Sequence, residues 1–267
     1  MILVPYDFSP KSTLALKQAL YIADLSGMPI EIIHITNKAA MLEYPPKWNY
    51  KNFDRQYLEG KLRQIVIQMM NKALLRYQLS FSIYITESVL ISGSIIKRAL
   101  SKKAKLIVMG THGFSGIKEV LMGSNTSSII NQAFLPVLAV PSVWKPRPLK
   151  KLIVAVETEK MKTYKKQTEA WASLMKCKVD WVGFYYLPDK QIIQRSQEKH
   201  PELKLLQANV VNSLAENLVD YTAKQKEAAL MMFVHQRNFF QKIFNASITE
   251  KVSGLIRIPL LAIPIKK

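Results

Sequence analysis

Leu106-Ile107-Val108-Met109-Gly110-Thr111-His112-Gly113-Phe114-Ser115-Gly116 decides how the chain must fold. Four consecutive apolar residues predict a strand buried on both faces. A glycine-rich loop follows at once, and Gly123-Ser124-Asn125-Thr126 then opens a helix expected over Ser124 to Ala133. Four of the nine glycines fall within these fourteen positions, 110 to 123. Glycine lets a backbone turn freely and lets a ligand approach main-chain amides. Hydroxyls at a helix start, beside the positive end of its dipole, suit an anion. Strand, glycine loop and helix start together read as a phosphate cradle. No Lys follows Gly123, so this is not a Walker loop, and the spacing is not GxGxxG. A loop kept only for tight turning is the alternative.

Outward from this stretch, apolar runs alternate with helical patterns. Ile2–Val4 predicts a strand, and Asp7-Phe8-Ser9-Pro10 a turn into a helix that Ser9 caps and Pro10 begins. Ile30–Ile35 and Phe81–Ile85 predict strands, Tyr57–Tyr77 a long amphipathic helix, Ile95–Leu100 a helix and Val137–Val140 a last strand. Alternation of this kind implies an α/β fold with a parallel sheet covered on both faces. Ligands of such sheets sit at the carboxyl ends of the strands.

The pattern occurs twice. Leu135-Pro136-Val137-Leu138-Ala139-Val140-Pro141 recurs as Ile258-Pro259-Leu260-Leu261-Ala262-Ile263-Pro264, an offset of 123. At that offset Ile107-Val108-Met109 falls on Leu230-Met231-Met232, His112 on His235, Ser124 on Ser247 and Thr126 on Thr249. Near the start, Ile2–Asp7 matches Leu152–Glu157 at an offset of 150. Two related units are therefore expected, 1–142 and 150–267, joined through Pro146 and Pro148. The second is 27 residues shorter in its middle, a loss expected to remove most of the long helix between its second and third strands.

Composition bounds the rest. The 267 residues are 49% hydrophobic and 21% charged, a globular profile. The lone Cys177 excludes a disulfide scaffold. No apolar run has the length of a membrane span, and Asp7 and Pro10 come too early for a signal peptide, so a cytoplasmic protein with no membrane role is expected. The 38 basic and 19 acidic residues leave a net charge of +19, spread over both units. That field favours anionic partners without choosing among them. No helix-turn-helix, zinc-finger or RNA-binding signature accompanies it, which makes nucleic acid the weakest candidate.

Gly110-x2-Gly113-x9-Gly123-Ser124 resembles the G-x2-G-x9-G-[ST] pattern of the nucleotide-binding universal stress proteins, the UspA-like family. Val4–Ser9 resembles their opening strand and its aspartate, Ile32–Ile35 their second strand, and Pro136–Pro141 their closing strand. The resemblance covers 1–142 and, more faintly, 150–267. It implies tandem flavodoxin-like, adenine-nucleotide hydrolase-like domains, each with five parallel strands flanked by helices. It also implies that the two domains pair as two subunits do in single-domain relatives; a homodimer would be a further level of assembly. Carried over by position, Asp7 would face the ribose and adenine of ATP, and the Ile35 backbone would bond the adenine. Gly110, His112 and Gly113 would line the ribose and phosphates, and Gly123, Ser124, Asn125 and Thr126 would hold the phosphates. Mg²⁺ would accompany them, as is usual for such ligands. Asp7 as a turn or cap residue, and His112 as a structural histidine, are the competing readings. Tyr6 stands where the family often has a small residue.

The second unit departs from the pattern. Gly110 becomes Phe233, Gly113 becomes Gln236, Gly123 becomes Ala246 and Asp7 becomes Glu157. It is expected to keep the fold without standard nucleotide binding and to serve in pairing or docking. Phe239, Phe240 and Phe244 would be contact surface or core. Tyr44–Arg55, mixing aromatic and basic residues, would be a loop packed on the domain or a lid over the nucleotide. The expected function is an ATP-binding stress sensor or regulator with slow hydrolysis at most, since no general base is evident. A protein-interaction platform that binds no nucleotide is the alternative.

Overall fold

The computed structural model describes residues 1–36, 55–73, 75, 79–111, 126, 128–130, 134–187, 189–235 and 256–265. Among these residues ten strands form one sheet: β1 (Ile2–Pro5), β2 (Ile30–Thr36), β3 (Phe81–Glu87), β4 (Leu106–Thr111), β5 (Val137–Pro141), β6 (Lys151–Ala155), β7 (Lys178–Tyr185), β8 (Leu203–Gln207), β9 (Ala228–His235) and β10 (Leu260–Ile265). Their spatial order is β3-β2-β1-β4-β5-β10-β9-β6-β7-β8. Within each set of five the pairs are parallel. At the centre β5 and β10 run antiparallel, Leu138 opposite Leu261. The two expected sheets are thus fused edge to edge, which covers the strand edges that either alone would expose.

The strand register repeats at the offsets of the sequence repeat. Ile2 pairs with Leu106, and Leu152 with Ala229. Ile107 pairs with Val137, and Leu230 with Leu260. A one-residue slip would turn every core side chain to the wrong face, so a shared register reflects a shared burial pattern. Ile2, Leu3 and Val4, like Leu152, Ile153 and Val154, are fully buried.

Six α-helices are described with the sheet: α1 (Pro10–Ser26), α2 (Arg55–Lys72), α3 (Ile91–Ser101), α4 (Met161–Met175), α5 (Lys190–Lys199) and α6 (Leu214–Ala223). α1 starts as its sequence predicts. The Ser9 side chain accepts from the Ser12 amide, Pro10 is the first helical residue, and Gly27 ends the helix in the left-handed region at φ 68°. Thr126 and 128–130 are helical, and the rest of the helix expected over Ser124–Ala133 lies outside the described residues.

The shortening of the second half falls where expected, but its composition differs. Residues 37–80 separate β2 from β3, 44 residues, and 186–202 separate β7 from β8, 17 residues, a difference of 27. A helix is kept there, with 18 residues in the first half and 10 in the second, where the sequence predicts the loss of most of it. Ten residues still give nearly three turns, enough for α5 to pack against β8.

The linker is ordered against α1. Gln18, fully buried, donates from Nε2 to the Arg147 carbonyl at 3.0 Å. Its Oε1 accepts from the Trp144 indole at 2.7 Å and the Arg147 amide at 3.2 Å.

Candidate functional site

The chain leaves β1 through α1 toward β2 on one side and returns from β3 to β4 on the other, so connections diverge at the carboxyl ends of β1 and β4. A cleft of about 220 Å³ opens there. Such divergence leaves a crevice between adjacent connections, the usual seat of a ligand in open α/β sheets.

Five segments distant in sequence build its walls. The end of β1 contributes Tyr6 and Asp7, and the first turn of α1 contributes Ser9, Lys11 and Ser12. Alternation along β2 turns Ile33 and Ile35 toward the cleft, and Ile91 and Ile95 of α3 close the apolar side. Met109, Gly110 and Thr126 form the opposite wall. Asp7, Ile35, Gly110 and Thr126, four of the residues singled out in the sequence, therefore meet. His112, Gly113, Gly123, Ser124 and Asn125 lie outside the described residues, as do Phe239, Phe240, Phe244 and the Tyr44–Arg55 segment apart from Arg55.

Asp7 fills its turn role and still sits on the cleft wall. Its Oδ1 accepts from the Ser9 amide at 3.0 Å, and its own amide donates to Ser12 Oγ at 3.4 Å. Enclosure pushes the carboxyl up, but hydrogen bonds from Ser9 and Ser12 outweigh this and hold it below the usual carboxylate value. It is an anion at neutral pH, suited to accept hydroxyl donors. The turn also sets Phe8 at φ 63°, a left-handed conformation that side-chain residues seldom adopt. Ring contacts hold it there: Phe8 lies edge-on to Tyr6 at 5.3 Å and to His34 at 5.0 Å, with Lys61 Nζ 5.2 Å from its centroid.

His34 locks the same turn from beneath. Its Nδ1 lies 2.7 Å from the Tyr6 carbonyl, which can only accept, so Nδ1 carries the proton. Burial lowers its pKa, against the opposing pull of that carbonyl and Asp7. Tyr6 is buried, and its hydroxyl lies 3.1 Å from Thr13 Oγ1.

Gly110 is required for helix packing. A Cβ at this position would lie 2.5 Å from the Lys11 carbonyl oxygen and 2.7 Å from its carbon. The first turn of α1 therefore rests directly on β4, which brings Lys11 over the start of the glycine loop. The buried Thr126 hydroxyl donates to the Gly110 carbonyl at 3.1 Å and ties that segment to the strand.

The equivalent place in the second half is filled. Phe233, at the position of Gly110, is buried and stacks on Tyr164 of α4 with centroids 3.9 Å apart and planes 9° from parallel. Met161 of α4, at the position of Lys11, is likewise buried.

Lys11 and Ser12 carry no mark of the site in the linear pattern. Nothing there shows that α1 crosses β4 rather than another strand; the only sign is the glycine that permits the crossing.

Fold and cleft define a doubly wound α/β protein with an open cleft at its switch point. Residues 1–141 match the model of the universal stress protein family, and the chain belongs to that family. It is 28% identical over 139 residues to universal stress protein MJ0531 of Methanocaldococcus jannaschii, covering 52% of this chain and 80% of that one. Among solved structures, a universal stress protein from Archaeoglobus fulgidus superposes with a TM-score of 0.72 at 14% identity, covering 98% of this chain and 97% of that chain. A Pseudomonas aeruginosa protein of unknown function, PA1789, superposes at 0.67 with 16% identity, covering 98% and 92%. These likenesses extend the fold over both halves. No helix among the described residues is long and apolar enough to cross a membrane.

Proposed function

We propose that the chain comprises two universal stress domains, 1–142 and 150–267, and that the first binds ATP or another adenine nucleotide in the cleft between β1 and β4. The protein then acts in the cytoplasm as a nucleotide-dependent stress sensor or regulator, with slow hydrolysis at most. The observation that carries this reading is the convergence of Asp7, Ile35, Gly110 and Thr126, from four separate segments, on one cleft at the switch point. Ile35 and the apolar wall of Ile33, Ile91 and Ile95 suit a base, Asp7 suits ribose hydroxyls, and the β4 side suits phosphates carried by Gly113, Gly123, Ser124 and Asn125. Asp7 is the one carboxylate on the described wall, so a Mg²⁺ bound with the phosphates would draw most of its ligands from the nucleotide and water.

In the second domain, the Phe233–Tyr164 stack favours a structural or docking role in place of a second nucleotide site. The test is ATP binding by the wild type and by the Gly113→Val, Gly123→Val double variant. Binding by the wild type that falls at least tenfold in the variant supports the reading. Undiminished affinity in the variant removes the glycine loop from the site. Wild type that neither binds ATP nor gains thermal stability from it supports the interaction platform.

A further inference from the structure

Lys11 is a cation on the cleft wall with no role in the family pattern above. It follows the Ser9 cap by two residues, so it belongs to the first helical turn, beside the positive end of the α1 dipole. Its main chain and Cβ touch the site of the missing Gly110 side chain. This places it over the end of β4, where the glycine loop begins. No ion pair or hydrogen bond engages its side chain among the described residues. Asp7, by contrast, sits at the end of β1 with its carboxylate held ionised by Ser9 and Ser12. The cleft is thus electrostatically polar, with an anion at β1 and a cation over β4.

The second half supplies an internal control. Where Gly110 is replaced by Phe233, Lys11 is replaced by Met161, with 1% of its surface exposed. The cation and the glycine are lost together. The charge is thus absent where the equivalent place is filled and present where the cleft is open.

We infer that Lys11 is a ligand-binding residue that selects for phosphate: the cleft takes adenine nucleotides in preference to the nucleoside, oriented with sugar hydroxyls at Asp7 and phosphates under Lys11. This inference rests on the nucleotide reading of the cleft and names the ligand class and its direction. A Lys ammonium recognises phosphate as a point charge, so its contribution follows the charge of the ligand.

The experiment is calorimetric titration of the full chain with adenosine, AMP and ATP, comparing wild type, Lys11→Met and Lys11→Arg. Lys11→Met, which copies the second half, is expected to weaken ATP binding five- to twentyfold and AMP less, while adenosine stays within twofold. Lys11→Arg is expected to retain most ATP affinity. Melting curves of the unliganded variants within a degree or two of wild type exclude misfolding as the cause. Equal weakening of adenosine and ATP, or none of either, overturns the role of Lys11 and leaves the nucleotide reading intact. Wild type that binds none of the three overturns both.

Discussion

Gly110 does its work through what it lacks. Any side chain there meets main-chain atoms of Lys11, which cannot swing aside as a flexible side chain would. Gly110→Ala is therefore expected to destabilise the protein by about 1–3 kcal/mol, the usual cost of overpacking a close contact. Urea unfolding with an unchanged slope measures it; an unshifted midpoint would mean that α1 can lift from β4 at little cost. The glycine is legible in the sequence as part of a phosphate loop, yet its tightest contact is with a helix about one hundred residues earlier. Phe233 shows the same position solved differently, by a side chain stacked on Tyr164. A linear motif names the residue and the ligand it would meet; it does not name the element packed on its other side.

At the scale of elements, strands and caps are the most legible because their signals are local. The apolar runs form β1 to β5 within a residue or two, and Ser9 and Pro10 open α1 as their chemistry requires. Tertiary partners of buried polar groups are not legible. Gln18 reads as an ordinary helical residue, yet it ties the linker down through three hydrogen bonds. Its counterpart in α4 at the offset of 150, Thr168, is equally buried, and its hydroxyl has no partner among the described residues. Opposite outcomes follow. Gln18→Leu strands two N–H donors and a carbonyl and should cost about 2–4 kcal/mol, since a buried unpaired group loses its full solvation. Thr168→Val removes a hydroxyl that already lacks a partner and should be neutral or raise stability by about 1 kcal/mol. Thermal unfolding of the two variants checks both signs, and a large loss from Thr168→Val would reveal a bond to its hydroxyl.

The strands of the second half carry a second element-scale test. Asp180 on β7 accepts through Oδ2 from Lys151 at 2.8 Å and Lys204 at 2.9 Å. Burial pushes the carboxyl up, but the two lysines outweigh it and hold its pKa below the ordinary aspartate value. A carboxyl lowered by folding stabilises the native state above its unfolded pKa, and that share is lost as pH falls through the folded value. Stability should therefore drop below about pH 4, the ordinary carboxylate range, and Asp180→Asn should flatten that part of the profile. Urea midpoints measured from neutral pH down into the acid range read the difference; parallel profiles would assign the acid loss to other groups.

The whole molecule is one sheet made of two unequal halves. The antiparallel seam between β5 and β10 turns the carboxyl ends of the two sets of strands in opposite directions, so the two equivalent clefts cannot merge into one site. The repeat offsets of 123 and 150 make this duplication readable in the amino-acid sequence, because they reappear as strand register. The fusion of the two sheets is not readable there, since an edge strand carries no mark of what it will pair with. With Phe233 stacked on Tyr164 in the second half, the proposed nucleotide site occurs once per chain. Titration of the intact chain with ATP should give one nucleotide per chain. No binding, or two nucleotides per chain, would contradict it.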